Sequence, residues 1–198
     1  MRFETQDLDI ADLERAPPCP LQATLFKFWR ETKGKLPEFE QFKDAPLALQ
    51  LTIPHIITMG FSPKTGDLTA LSKGPKSLAA KWLGDDWQQE LAQAEGKEAI
   101  VAAYQAASEG YETFDYVTYQ GLRDFKNFHV SNTRLVLPFV TSAGYPMYMN
   151  LSTLVRITRD AADQQSPCNL SGPSLLASSP ILLGKDVAPS SKLVGFAS

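Results

Sequence analysis

Two long extended runs, Asn127 to Val140 and Met147 to Ile157, are separated only by Thr141-Ser142-Ala143-Gly144-Tyr145-Pro146. A short Gly- and Pro-containing segment between two such runs marks an antiparallel hairpin. Along the second run Met147, Met149, Leu151 and Val155 share one face, because side chains alternate across a strand. The first run ends Arg134-Leu135-Val136-Leu137-Pro138-Phe139-Val140. Pro138 has no N–H to donate to a ladder, which suits an edge position or a bulge. The second half of the chain is thereby committed to antiparallel sheet.

Upstream the periodicity changes. Pro20 suits the first turn of a helix, and Leu21, Leu25, Phe28 and Trp29 recur at helical spacing up to a stop at Gly34. Residues 35 to 50, broken by Pro37 and Pro46, read as short turns. A strand follows over 55–61, where His55, Ile57, Met59 and Phe61 alternate with Ile56, Thr58 and Gly60. The turn Ser62-Pro63-Lys64-Thr65-Gly66-Asp67 leads to a hairpin partner over 68–72. Three short helices are expected next, near 78–84, 86–94 and 97–108, the last with Ile100, Val101, Tyr104 and Ala107 on one face. Tyr111 to Tyr119, aromatic and β-branched, is a further strand.

The ends differ from this middle. Residues 1–19 read as a loosely held N-terminal arm, and 20–158 as the folded domain. The 39 residues from Asp160 to Ser198 hold eight Ser, four Pro and three Gly, with Phe196 the sole aromatic residue. Such a composition marks a tail rather than a core, so 159–198 is set apart.

Composition narrows the function classes. The net charge is −3, and nineteen Lys and Arg are scattered over 198 residues. A nucleic-acid binder would gather them into a stripe, so that partner is not expected. No apolar run approaches the roughly 20 residues of a membrane-spanning helix. The opening Met1-Arg2-Phe3-Glu4-Thr5-Gln6-Asp7 lacks the apolar stretch of a signal peptide, so a cytoplasmic protein with free Cys19 and Cys168 is expected.

Helix, two strands, several short helices and three strands is the element order of the PAS domain, and the chain resembles it over roughly 20–158. The likeness is to compact bacterial PAS proteins and rests on Phe28-Trp29-Arg30, Ile53-Pro54-His55-Ile56-Ile57, Ser72-Lys73-Gly74-Pro75-Lys76-Ser77, Trp82-Leu83-Gly84-Asp85-Asp86 and Leu137-Pro138-Phe139. Phe139 stands where that group has Leu, and Thr69-Ala70-Leu71 is less aromatic than its second strand. The resemblance implies an α+β fold: a five-stranded antiparallel sheet, short helices packed on one face around a small pocket, and an amphipathic N-terminal helix. It implies a sensory domain that binds a small molecule and signals through a downstream protein, not an enzyme.

Candidate ligand-binding residues follow from that layout. His55 falls on the apolar face of its strand, either as a satisfied core histidine or as a pocket hydrogen-bonding group. His129, Ser131 and Thr133 share a strand face with Leu135, Leu137 and Phe139, which reads either as a dry-floored pocket with a polar mouth or as a half-exposed strand. Trp82 falls on a helix that covers the sheet in PAS folds, and Tyr104 on the apolar face of the helix before the third strand. The ligand-binding set is therefore His55, Trp82, Tyr104, His129, Thr133 and Leu135.

No metal or cofactor is expected. The two histidines lack ligand-spaced partners. The 97–108 helix has no His to hold haem, and residues 74–94 have no Cys for a flavin photosensor. No nucleophile elbow or phosphate loop is present. Two other readings stay open: a PAS-like interaction module whose pocket is filled by its own side chains, and an enzyme on an α+β cone. A homodimer through the first helix is also expected, because Phe26 broadens its apolar surface beyond one face. Against this, residues 1–19 with Leu8, Ile10 and Leu13 could fold back and cover Phe26.

Overall fold

The long hairpin organises the whole sheet. In the computed structural model, which describes residues 1–15, 19–35, 46–78, 89, 92–122 and 125–159, the elements run β1 (Arg2–Asp7), α1 (Ile10–Arg15), α2 (Pro20–Thr32), α3 (Leu47–Thr52), a 3-10 turn (Ile53–His55), β2 (Ile56–Phe61), β3 (Leu68–Lys73), α4 (Lys97–Ser108), β4 (Thr113–Leu122), β5 (Phe125–Val140) and β6 (Pro146–Arg159). The fold is α+β, with six strands in the order β1-β4-β5-β6-β2-β3, and all five neighbouring pairs are antiparallel.

Six strands replace the five expected, and the sixth comes from the segment read as a loose arm. β1 pairs along its full length with β4, Phe3 opposite Tyr119. The Phe3 ring is buried and meets Tyr119 edge-on at 5.0 Å. On its other side the Phe3 N–H donates to the Glu95 carbonyl at 2.8 Å. Gly96 makes that approach feasible: its φ is +78°, and a Cβ there would lie 2.3 Å from the Phe3 carbonyl oxygen. The strand escapes sequence reading because Arg2-Phe3-Glu4-Thr5-Gln6-Asp7 offers one apolar side chain to mark a face.

Helices cover both faces of the sheet, not one. Leu135, Val136 and Leu137 are consecutive and all fully buried, which requires cover on both sides. On one face α4 lays Ile100, Ala103, Tyr104 and Ala107 over Phe3, Ile57, Met59, Val117, Val136 and Tyr148. On the other, α1, α2 and α3 lay Leu13, Leu25, Phe26 and Leu49 over Phe114, Leu135, Leu137, Phe139 and Leu151. Phe26 is 6% exposed, and Leu8 and Ile10 pack against the same cluster. The N-terminal segment thus folds back over the same cluster, and Phe26 adds no exposed apolar surface to the helix.

Pro138 sits in a central strand, yet β4 stops opposite Val136, so the strand is locally an edge there. The Trp29 indole N–H takes up the Pro138 carbonyl at 2.6 Å. α3 begins after Pro46, inside the stretch expected to be turns, and runs two residues past it. Trp82, the first two expected helices over most of their length, and the tail from residue 160 lie outside the described residues.

Candidate functional site

Three strands bring a polar cluster together beneath α4. Alternation places Asp115, Val117 and Tyr119 of β4 and Asn132, Arg134 and Val136 of β5 on the α4 face. Asn150 and Ser152 of β6 join them, opposite Val136 and Arg134. Asp115 and Arg134 are direct cross-strand partners. The Arg134 Nε donates to Asp115 Oδ1 at 2.9 Å, and one Nη donates to Oδ2, a bidentate pair. Arg134 is 1% exposed. Burial alone would lower its pKa, but the hydrogen bond and charge of Asp115 hold it well above the ordinary value. Removing either partner would strand a buried charge, which typically costs about 3–5 kcal/mol.

Aromatic and amide groups close around this pair. The guanidinium carbon lies 5.8 Å from the centre of the Tyr104 ring, a cation–π contact. Asn150 Nδ2 donates to the Tyr104 hydroxyl at 2.6 Å, and Ser152 Oγ donates to Asn150 Oδ1 at 3.0 Å. Burial raises the Tyr104 pKa, and Arg134 and Asn150 oppose that rise. The Tyr119 pKa is pushed up to about 12 by burial, against the pull of Arg134 and of a hydrogen bond from Asn132.

Two buried side-chain oxygens in this face lack a partner among the described residues: Asn132 Oδ1 and Thr113 Oγ1. Asn132 is fully buried, and its amide nitrogen donates to the Thr133 carbonyl at 3.3 Å. An unsatisfied buried acceptor costs about 1–3 kcal/mol, so such groups recur where something else is bound. The donor set is suited to recognition: one neutralised ion pair, two phenols, two amides and a free acceptor.

The residues expected to line one pocket are divided between the two faces. Tyr104 belongs to the cluster. Thr133 and Leu135 point the other way, toward α2: Leu135 is core, and Thr133 Oγ1 donates to Gln22 Oε1 at 3.0 Å. His129 lies further along β5 on the side of Thr133, half-buried opposite Gln120 and Thr158. His55 ends the 3-10 turn instead of starting the strand, because Pro54 holds the turn and the Ile56 N–H closes it on the Ile53 carbonyl. It is half-buried and has no place on the β2 face assigned to it. Trp82 lies outside the described residues. Sequence reasoning passed over Asp115 and Arg134, although a lone charge inside Phe-Asp-Tyr-Val and another inside Thr-Arg-Leu-Val were available signals.

Among the described residues no group of three or more His, Cys, Asp or Glu is placed to hold a metal ion, and no helix is long and apolar enough to cross a membrane. Known protein families, curated proteins and solved structures yield no match to the chain.

Proposed function

We propose that the chain is a sensory domain of the PAS type that binds a small molecule against the α4 face of its sheet and relays occupancy through contacts with another protein. The observation that carries this reading is the buried Asp115–Arg134 pair, ringed by Tyr104, Tyr119 and Asn150 beside the unpartnered Asn132 oxygen. Buried polar networks are costly where they only fill space, and an apolar interior with a few convergent polar groups is what a small-ligand site needs. The order helix, strand pair, α4 and three strands adds support.

A route for the signal runs across β5. Arg134 faces α4, while its neighbour Thr133 faces α2 and is bonded to Gln22. Movement of the strand at one residue therefore reaches the helix on the opposite face. The output is read by a partner at α2, either a downstream protein or a second copy of this chain.

A native mass spectrum of protein purified without added ligand tests the proposal. Retained small-molecule mass in the wild type, lost in an Asp115→Leu/Arg134→Met double variant that stays folded, is the expected result. A second reading, a ligand-free interaction module, is favoured by Leu47 and Leu51, one turn apart on α3 and both exposed. It predicts a bare mass for both proteins.

A further inference from the structure

The cluster beneath α4 has a neglected end where its polar floor meets exposed apolar side chains. Asn132 stands directly opposite Leu154 on β6, so their side chains are neighbours on the α4 face. Immediately beyond, the register shifts: Ser131 pairs with Arg156 and Asn132 with Leu154, leaving Val155 as the extra residue of a bulge. The bulge returns Ile157, opposite Val130, to the same face as Leu154. These two side chains are 41% and 40% exposed, whereas Asn132 and Val130 beside them are buried. A buried acceptor thus lies next to a partly open apolar wall.

We infer that this end of the site takes an uncharged amphipathic molecule, one hydroxyl or N–H group donating to Asn132 Oδ1 and an apolar body lying against Leu154 and Ile157. The inference rests on the sensory reading above. Charge decides the first property. Arg134 is matched by Asp115 in a bidentate pair, and a further charge entering a buried site would go uncompensated. Hydrogen-bond polarity decides the second. The unpartnered Asn132 atom is a carbonyl oxygen, which only a donor can satisfy. The exposed Leu154 and Ile157 decide the third, since apolar surface of this kind gains by being covered.

Three para-substituted probes of one shape separate these properties: para-propylphenol, para-propylanisole and para-propylbenzoate, titrated calorimetrically into the full chain. The phenol is expected to bind at least about tenfold tighter than the anisole, a difference of about 1.4 kcal/mol, and the benzoate weakest. In Asn132→Leu the phenol and anisole should bind within about twofold of each other. Should that variant fail to fold, the surface change Leu154→Glu should weaken phenol and anisole together by about tenfold. Equal phenol and anisole binding to the wild type would overturn the inference, as expected if only a water meets Asn132. So would tightest binding by the benzoate, which would place an anion on Arg134. If none of the probes binds but the purified protein retains a small molecule, this ligand class is wrong and the sensory reading stands. If neither is seen, both fall.

Discussion

Gln22 and Thr133 lie far apart in sequence, yet each donates a hydrogen bond to the other: Gln22 Nε2 to the Thr133 carbonyl at 3.2 Å, and Thr133 Oγ1 to Gln22 Oε1 at 3.0 Å. The same Gln22 nitrogen also donates to the Leu151 carbonyl at 2.8 Å. One fully buried amide therefore ties α2 to β5 and β6 at once. Gln22→Leu would leave these groups unpaired and should cost about 1–3 kcal/mol in urea unfolding. Gln22→Glu should cost more, because it removes both donors and buries a charge. A Gln22→Leu protein within about 0.5 kcal/mol of wild type would show that the contact does not anchor the helix.

Asp115 and Arg134 make a different kind of demand. Asp115→Asn should destabilise by about 3–5 kcal/mol, since the guanidinium keeps its charge in a buried place. Replacing both residues, as Asp115→Leu/Arg134→Met, should restore most of that loss or exceed wild-type stability. The pattern separates a pair kept for function from one that holds the fold. A double variant as unstable as the single one would mean that the pair is a structural requirement.

The phenols of the cluster set an alkaline limit. Tyr119 titrates near 12 in the fold because burial disfavours its charged form, and Tyr104 is raised for the same reason. A group whose folded pKa exceeds its unfolded value of about 10 contributes stability that is complete below that pH and lost as pH rises through the folded value. The melting temperature should therefore fall between about pH 10 and about pH 12, and Tyr119→Phe should flatten the fall. A wild-type melting temperature unchanged over that window contradicts this electrostatic account.

Much of the fold was legible because it is written in periodicity. The 97–108 helix occurs with those bounds, and the long hairpin extends its expected runs by two residues at each outer end and by one, Pro146, at the turn. The first expected helix also forms as α2, and Leu21, Leu25, Phe28 and Trp29 all pack on the core as expected, but Gln22 and Phe26 are buried with them. Leu21 and Phe28 are half-buried, while Gln22, Leu25 and Phe26 are the buried set. An apolar count skips a glutamine, although this one sits at the centre of the contact. The site was less legible for a related reason. Its partners converge from β4, β5, β6 and α4, and nothing local in Phe-Asp-Tyr-Val announces that Asp115 faces Arg134. Alternation shows which side chains share a face, but not which face a helix will cover. Thr133 and Leu135 were therefore grouped correctly with each other and wrongly with Tyr104.

The N-terminal strand gives the sharpest test of the sheet itself. A loose arm could be removed at little cost, and a melting temperature within about one degree of wild type would be expected after deleting residues 1–7. β1 does not have that character. Its ladder with β4 runs from Arg2 opposite Gln120 to Asp7 opposite Asp115, and Phe3 is buried under α4 against Tyr119. Losing it would open the backbone edge of β4, which invites association with other chains, and would uncover Tyr119 at the rim of the polar cluster. Phe3→Ala alone should cost about 3–5 kcal/mol, the usual range for a buried phenylalanine. The deletion should cost more and raise the tendency to aggregate. Hydrogen exchange supplies the local readout: amides of β4 should lose protection in the deletion first, and those of the β5–β6 hairpin last. Unchanged β4 protection would return residues 1–7 to the status of an arm.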